Sequence, residues 1–193
     1  PDCLNLRERE RFDYFVQHQR PIIRDGYLHR AGSEFKSLYA IRNGSLKTSI
    51  TDDKGREQVG GFHMAGELTG MDAIGSGKHF CDAVALEDSE VCGISFVDLE
   101  RLNREIPSLQ HHFHRMLSSE IVREHGIMFL LGSMRAEEQV AVFLVSLSKR
   151  YAARGYSATR LNLLLKREEI GSYLGLKLET VSRVLSRFQE NQL

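Results

Sequence analysis

Residues 168–188 read EEIGSYLGLKLETVSRVLSRF, and within them Glu179, Ser182 and Arg183 stand at the spacing of one face of a helix near its start. Their chemistry is that of base-edge reading. An arginine guanidinium donates two hydrogen bonds to O6 and N7 of guanine, a glutamate carboxylate accepts from N4 of cytosine, and serine reads weakly. Thr180 is counted with them. Lys177, Arg167 and Arg187 flank this face and suit phosphate neutralisation, which fixes register on a duplex without carrying sequence information. For any one charged residue the plainer alternative is a solvated helix face; it is the ordered set that argues for recognition.

Those side chains need two helices and a corner to present them. REEIGSYL reads as a short first helix, Gly175 as the corner, and the run from about Leu178 as the second helix, with Ile170, Leu174, Leu176, Val181, Val184 and Leu185 on the buried face. Upstream, the stretch after Pro107 lacks proline and carries apolar residues at helical spacing, which predicts one long helix from about Ser108 to Leu131 and another from about Ala136 to Ala153. Leu117, Ile121, Glu124, Met128 and Leu131 alternate steps of four and three, the pattern of a coiled-coil seam. The alternative is a helix facing its own core. A carboxylate at Glu124 on a two-fold seam faces its own copy and weakens the pairing.

Before residue 94 the pattern is different. Eleven of the 16 glycines fall there, punctuating short alternating runs, which predicts many short strands in a β-sandwich or roll. DDKG at 52–55 is the clearest hairpin turn, and LRERERFDYFV near the start reads as a short amphipathic helix. The boundary between the roll and a C-terminal helical domain is expected near residues 132–135.

The chain of 193 residues is 41% hydrophobic, enough for a real core, and its 26 basic and 26 acidic residues balance. The balance is uneven along the chain: residues 149–193 hold nine basic and four acidic residues, a local charge of +5. No apolar run is long enough to span a membrane, and no charged-then-apolar leader opens the sequence, so a cytoplasmic protein is expected. Three cysteines argue against a disulfide scaffold and leave free thiols or metal ligands. His111 and His114 in HHFH stand one helical turn apart, but nothing nearby completes a metal site, and a solvated face is the simpler reading. The sequence lacks an initiator Met and stops just after the second helix, so further residues are expected at both ends.

The segments REEIGSYLGLKLETVSRVLSRFQ, SLYAIRNGSLKT, EQVGGFHMAGELTGMDAI and AVALEDSEVC together resemble the CRP/FNR superfamily of bacterial transcription regulators. Within it they resemble the oxygen-responsive FNR (fumarate and nitrate reduction) regulators, over essentially the whole chain. The resemblance implies an α+β fold: a cyclic-nucleotide-binding-type β-roll over 1–107, a long dimerisation helix over 108–134, and a winged helix-turn-helix over 135–193 whose wing lies beyond Leu193.

Departures from the cyclic-AMP-binding relatives bear on the ligand. Gly66, Glu67 and Leu68 match those relatives, but the arginine and serine or threonine that clamp the cyclic phosphate are replaced by His79 and Phe80, so no cyclic nucleotide is expected. Lys78 is only a point charge. Leu178 stands where cyclic-AMP-dependent members have arginine and Ser182 where they have glycine, which looks like an FNR-type reader of TTGAT half-sites.

The resemblance further implies a four-iron, four-sulfur (4Fe-4S) cluster held by three N-terminal cysteines and one in the roll. Cys92 stands where the roll ligand is expected. Of the N-terminal set only Cys3 is present, offset by a few residues, so the remaining ligands are expected outside this sequence, unless the protein has lost the cluster. Cys81 matches no family ligand and reads as a core or surface thiol. The expectation is a homodimeric regulator, not an enzyme, that binds double-stranded DNA when its cluster is intact. RNA polymerase would meet the turn at Gly55 and Arg56. The alternatives are a cluster-free relative sensing thiol oxidation or an unidentified ligand, and an enzyme using Cys or His, for which no base is placed beside Cys81 or Cys92.

Overall fold

In the computed structural model, residues 4–159 and 163–191 are described, the side chains of 17–19 excepted. Cys3 and Leu193 lie outside them. The elements are α1 (Leu6–Phe15), β1 (Val16–Ile22), β2 (Tyr27–His29), β3 (Ser37–Asn43), β4 (Ser45–Thr51), β5 (Glu57–Met64), β6 (Leu68–Thr69), a 3-10 turn (Met71–Ala73), β7 (Asp82–Ala85), β8 (Ser89–Ser95), α2 (Phe96–Glu105), α3 (Pro107–Ser133), α4 (Ala136–Ala152), α5 (Arg167–Leu174) and α6 (Leu178–Glu190). They form two compact units, Pro1–Val122 and Arg123–Leu193.

In the first unit the strands make two four-stranded antiparallel sheets, ordered β1-β8-β3-β6 and β2-β7-β4-β5. Alternation along β8 decides what lies on either side of the first sheet. Val91 faces between the sheets with Ile22, Leu28, Ile41 and Leu46. Ile94, on the opposite face, packs with Leu4, Leu38, Leu99, Leu102, Leu109 and Phe113, a cluster that α2 and the start of α3 help build. The sequence pattern did not separate α2 from the roll, yet Leu99 and Leu102 give it a buried stripe.

The expected turns and helices form for local reasons. Asn5 accepts the Glu8 N–H while Glu8 accepts the Asn5 N–H, a reciprocal cap that starts α1. At the β4–β5 hairpin Asp52 accepts the N–H groups of Lys54 and Arg56, and Gly55 takes φ +76. Pro107 opens α3, where its missing N–H costs nothing. At the other end of α3, Gln139 Nε2 donates to the carbonyls of Leu130 and Met134.

The long helix has two characters. Leu109 and Phe113 are buried on the roll and Leu117 packs partly buried against the same cluster, so this first stretch faces its own core. Leu117, expected on the seam, thus has its own core on one side. Ile121, Met128 and Leu131 keep exposed apolar side chains, and Glu124 is exposed among them.

Gly44, between β3 and β4, adopts φ +85, and a Cβ there would lie 2.2 Å from Ser89 Oγ and 2.8 Å from Ser89 Cα. Gly44→Ala combines left-handed strain with a backbone clash, and is expected to cost about 2–4 kcal/mol. Urea unfolding followed by circular dichroism checks it; a change within about 0.5 kcal/mol, the ordinary surface range, would contradict this packing.

Candidate DNA-reading surface

The second unit carries the helix pair. Lys166 N–H donates to the Glu169 carboxylate at 2.8 Å, capping the start of α5. Gly175 ends α5 in the left-handed conformation, φ 62, a backbone that residues with a Cβ rarely adopt. Gly171 serves differently. A Cβ on it would stand 2.7 Å from the Leu176 carbonyl oxygen, while the Leu176 N–H donates to the Gly171 carbonyl at 2.8 Å. The corner thus closes by backbone contact. Ile170, Leu174, Val181 and Val184 are buried beneath it, whereas Leu176 and Leu185, also expected inside, are half-buried.

At about 100° per residue, that burial turns Glu179, Ser182 and Arg183 outward together. Glu179 and Arg183 are exposed and Ser182 is half-buried. They sit in the first two turns of α6, the part of a recognition helix that meets base edges. Thr180 is half-buried at the flank of this stripe, and its N–H donates to the Lys177 carbonyl. Lys177 is the exposed N-cap of α6 and Arg167 the exposed first residue of α5. Arg187, expected to neutralise a phosphate, is exposed, and its guanidinium pairs with the Glu137 carboxylate of α4. Part of its charge is already compensated.

Cys92 lies on β8 opposite Ala40 of β3 and is half-buried. Two residues from Ile94, it shares the face that packs against the Leu4 cluster. Cys81 is buried. Burial, and then the Asp72 carboxylate, push its thiol up to about 12, so it stays protonated and unreactive. His111 and His114 are exposed on α3.

Sequence reasoning missed one cluster in the roll. His29, at the end of β2, and His79, just before β7, stack with ring centroids 3.6 Å apart and planes 13° from parallel. Asp72 of the 3-10 turn joins them, its Oδ1 3.4 Å from His79 Nδ1. Burial, and then the neighbouring His79, push His29 down to about 4, which leaves it neutral near pH 7. Burial works to raise the Asp72 carboxyl, but the N–H groups of Phe80 and Cys81 and the nearby histidines outweigh it and hold it below its ordinary range. The three residues are scattered along the chain with no motif spacing; the only sequence signal was a histidine at 79 in place of the expected arginine.

Comparison with known proteins places these units. Residues 20–105 match the family model described as the cyclic nucleotide-binding domain, and residues 138–193 the Crp-like helix-turn-helix domain. The chain is 46% identical over 188 residues to the transcriptional regulatory protein btr of Bordetella pertussis, covering 97% of this chain and 78% of that one. It is 44% identical over 191 residues to the fumarate and nitrate reduction regulatory protein of Escherichia coli K12, covering 99% and 76%. Among solved structures, FixK2 from Bradyrhizobium japonicum superposes with a TM-score of 0.83 at 28% identity, over 92% of this chain and 86% of that one. With its roll, long helix and helix-turn-helix in the order these relatives share, the chain belongs to the CRP/FNR family of DNA-binding transcription regulators.

Proposed function

We propose that this protein is an FNR-type regulator that works in the cytoplasm as a homodimer, reads TTGAT-type half-sites and responds to oxygen through a 4Fe-4S cluster. The outward stripe of Glu179, Ser182 and Arg183 on α6 carries the reading of DNA. Arg183 and Glu179 supply the base contacts, Thr180 and Ser182 adapt to the groove, and Lys177 and Arg167 hold phosphates. Arg187 contributes to phosphate binding only as far as Glu137 releases it.

For the cluster, this chain offers Cys92, half-buried on β8, and Cys3, which lies outside the described residues. Leu4, next to Cys3 in sequence, packs in the cluster that also holds Ile94, and this supports an approach of the N-terminal segment to the Cys92 face. A cluster bound there supplies an oxygen-labile iron–thiolate centre. The chain's own part is mechanical: β8 and the start of α3 share one buried cluster, so a shift of β8 bears on the helix through Leu109, Phe113 and Leu117. Ile121, Met128 and Leu131 then form the homodimer seam, with Glu124 facing its copy.

Cyclic-nucleotide binding is not part of this reading, because position 79 is a histidine buried in a stack and Phe80 is an exposed ring, leaving no guanidinium for a phosphate. The exposed turn at Gly55 and Arg56 is where RNA polymerase would dock. With Cys81 buried and protonated, Cys92 is the half-buried thiol among the described residues, which supports a second reading. In it the same DNA-binding protein lacks a cluster and senses thiol oxidation at Cys92 or an unidentified ligand.

Visible absorption with iron and acid-labile sulfide content, before and after air, separates the two. A brown protein that bleaches in air supports the cluster; a colourless protein that binds TTGAT-type DNA leaves only the second reading. Arg183→Ala and Glu179→Ala are each expected to weaken binding by about 1–3 kcal/mol and relax specificity at one base pair, whereas Lys177→Ala weakens all sequences alike and lowers the salt slope by about 1. Anisotropy titrations at several salt concentrations check this; equal losses on every sequence for Arg183→Ala would count against base reading. Two carboxylates meeting at 4 Å repel by about 4 kcal/mol at an effective dielectric near 20. Glu124→Ala is accordingly expected to leave a dimer that persists in air by sedimentation, and an unchanged monomer would sink the seam.

A further inference from the structure

His29 is 8% exposed and its Nδ1 lies 3.2 Å from the carbonyl oxygen of Cys81. A carbonyl only accepts, so Nδ1 carries the proton and Nε2 presents a lone pair. That Nε2 is buried and has no hydrogen-bond partner among the described residues. A histidine that donates one nitrogen to a backbone carbonyl and leaves the other bare is arranged as metal-ligating histidines are.

The neighbours complete the pattern. Asp72 Oδ2 is held by the N–H groups of Phe80 at 2.7 Å and Cys81 at 3.3 Å and by the Cys81 thiol at 3.4 Å, so its other oxygen faces His79. The 3.4 Å between that oxygen and His79 Nδ1 is long for a hydrogen bond. It is close to the ~3.3 Å that separates two ligands about 2.05 Å from one tetrahedral ion. His79 is fixed edge-on by Phe35 and is 5% exposed. One ligand atom from each of His29, Asp72 and His79 lies within 4.8 Å of the others. Closing the set to tetrahedral spacing takes shifts of at most about 1.5 Å together with a tilt of the two stacked rings out of parallel, so that both in-plane lone pairs meet one ion. The Asp72 side chain, 20% exposed, leaves a way in for an ion and for a water as fourth ligand.

We propose that Nε2 of His29, Nδ1 of His79 and Oδ1 of Asp72 bind one divalent cation of the zinc class inside the β-roll. Two imidazoles and a carboxylate suit zinc better than calcium or magnesium, which prefer oxygen alone. The ion joins the end of β2, the 3-10 turn and the residues before β7, and it is separate from Cys92 and any cluster there.

The test titrates Zn²⁺ into the intact protein, prepared without oxygen, against a fluorescent chelator, with iron and sulfide counted on the same samples so that a cluster is followed independently. One Zn²⁺ per chain is expected, with a thermal midpoint that rises with zinc. Zinc-edge X-ray absorption should show nitrogen and oxygen at about 2.0–2.1 Å with imidazole scattering and no sulfur shell near 2.3 Å. His29→Phe, which keeps an aromatic ring against His79, should weaken binding about 100-fold, since loss of even an outer partner costs about 10–100-fold. Asp72→Asn is the near-isosteric second variant with the same expectation, and it decides the matter should His29→Phe fail to fold. No zinc uptake, a sulfur shell, or affinity unchanged in the folded variants would overturn the site.

Discussion

The Leu176 carbonyl oxygen lies 2.7 Å from where a Cβ on Gly171 would stand, and the Leu176 N–H returns a hydrogen bond to the Gly171 carbonyl. Everything on the proposed reading face depends on this approach of backbone to backbone. It sets the angle at which α6 leaves α5, and the angle decides which residues of α6 are buried on Ile170 and Leu174 and which look outward. Shift the corner by one side chain's width and the stripe of Glu179, Ser182 and Arg183 turns away with the helix. Gly175 alone would permit a turn here; Gly171 makes it this tight.

A second constraint acts in the roll, where β8 works on two faces. Its inward residue Val91 closes the space between the sheets, and its other face meets Leu4 and the helices through Ile94. Cys92 sits on that second face, so chemistry at the thiol is next to the cluster that Leu38 and Ile94 share with the start of α3. A close-packed cluster transmits a displacement because it has few voids in which to absorb it. The proposed coupling of sensor to dimer seam needs no more than this contact.

How far the sequence revealed these features depended on whether each was local. The helix-turn-helix was legible because its cues lie within 22 residues: apolar spacing, a left-handed glycine and a polar outer stripe, all along α5 and α6. The β4–β5 hairpin was legible for the same reason, Asp52 and Gly55 making the turn by themselves. Leu117 was not, since heptad spacing is the same for a helix facing a partner and one facing its own core; only the roll's position tells them apart. The ion pair of Arg187 was not legible either, because its partner, Glu137, is 50 residues away. A pairing at that separation leaves no trace in spacing.

The histidine stack is the extreme case. His29, Asp72 and His79 come from three separate segments; the Cys81 carbonyl fixes the tautomer of His29, and the N–H groups of Phe80 and Cys81 hold the Asp72 carboxylate. The backbone around them is itself tied down: Gly32 N–H donates to the His79 carbonyl and His79 N–H to the Ser33 carbonyl, so the two histidines are held in register by main chain. Position 79 is a buried histidine and position 80 an exposed phenylalanine, so neither offers a guanidinium to a phosphate. The segment packs around two buried imidazoles, and a buried nitrogen lone pair without a donor is stable only at a cost that a bound cation would remove.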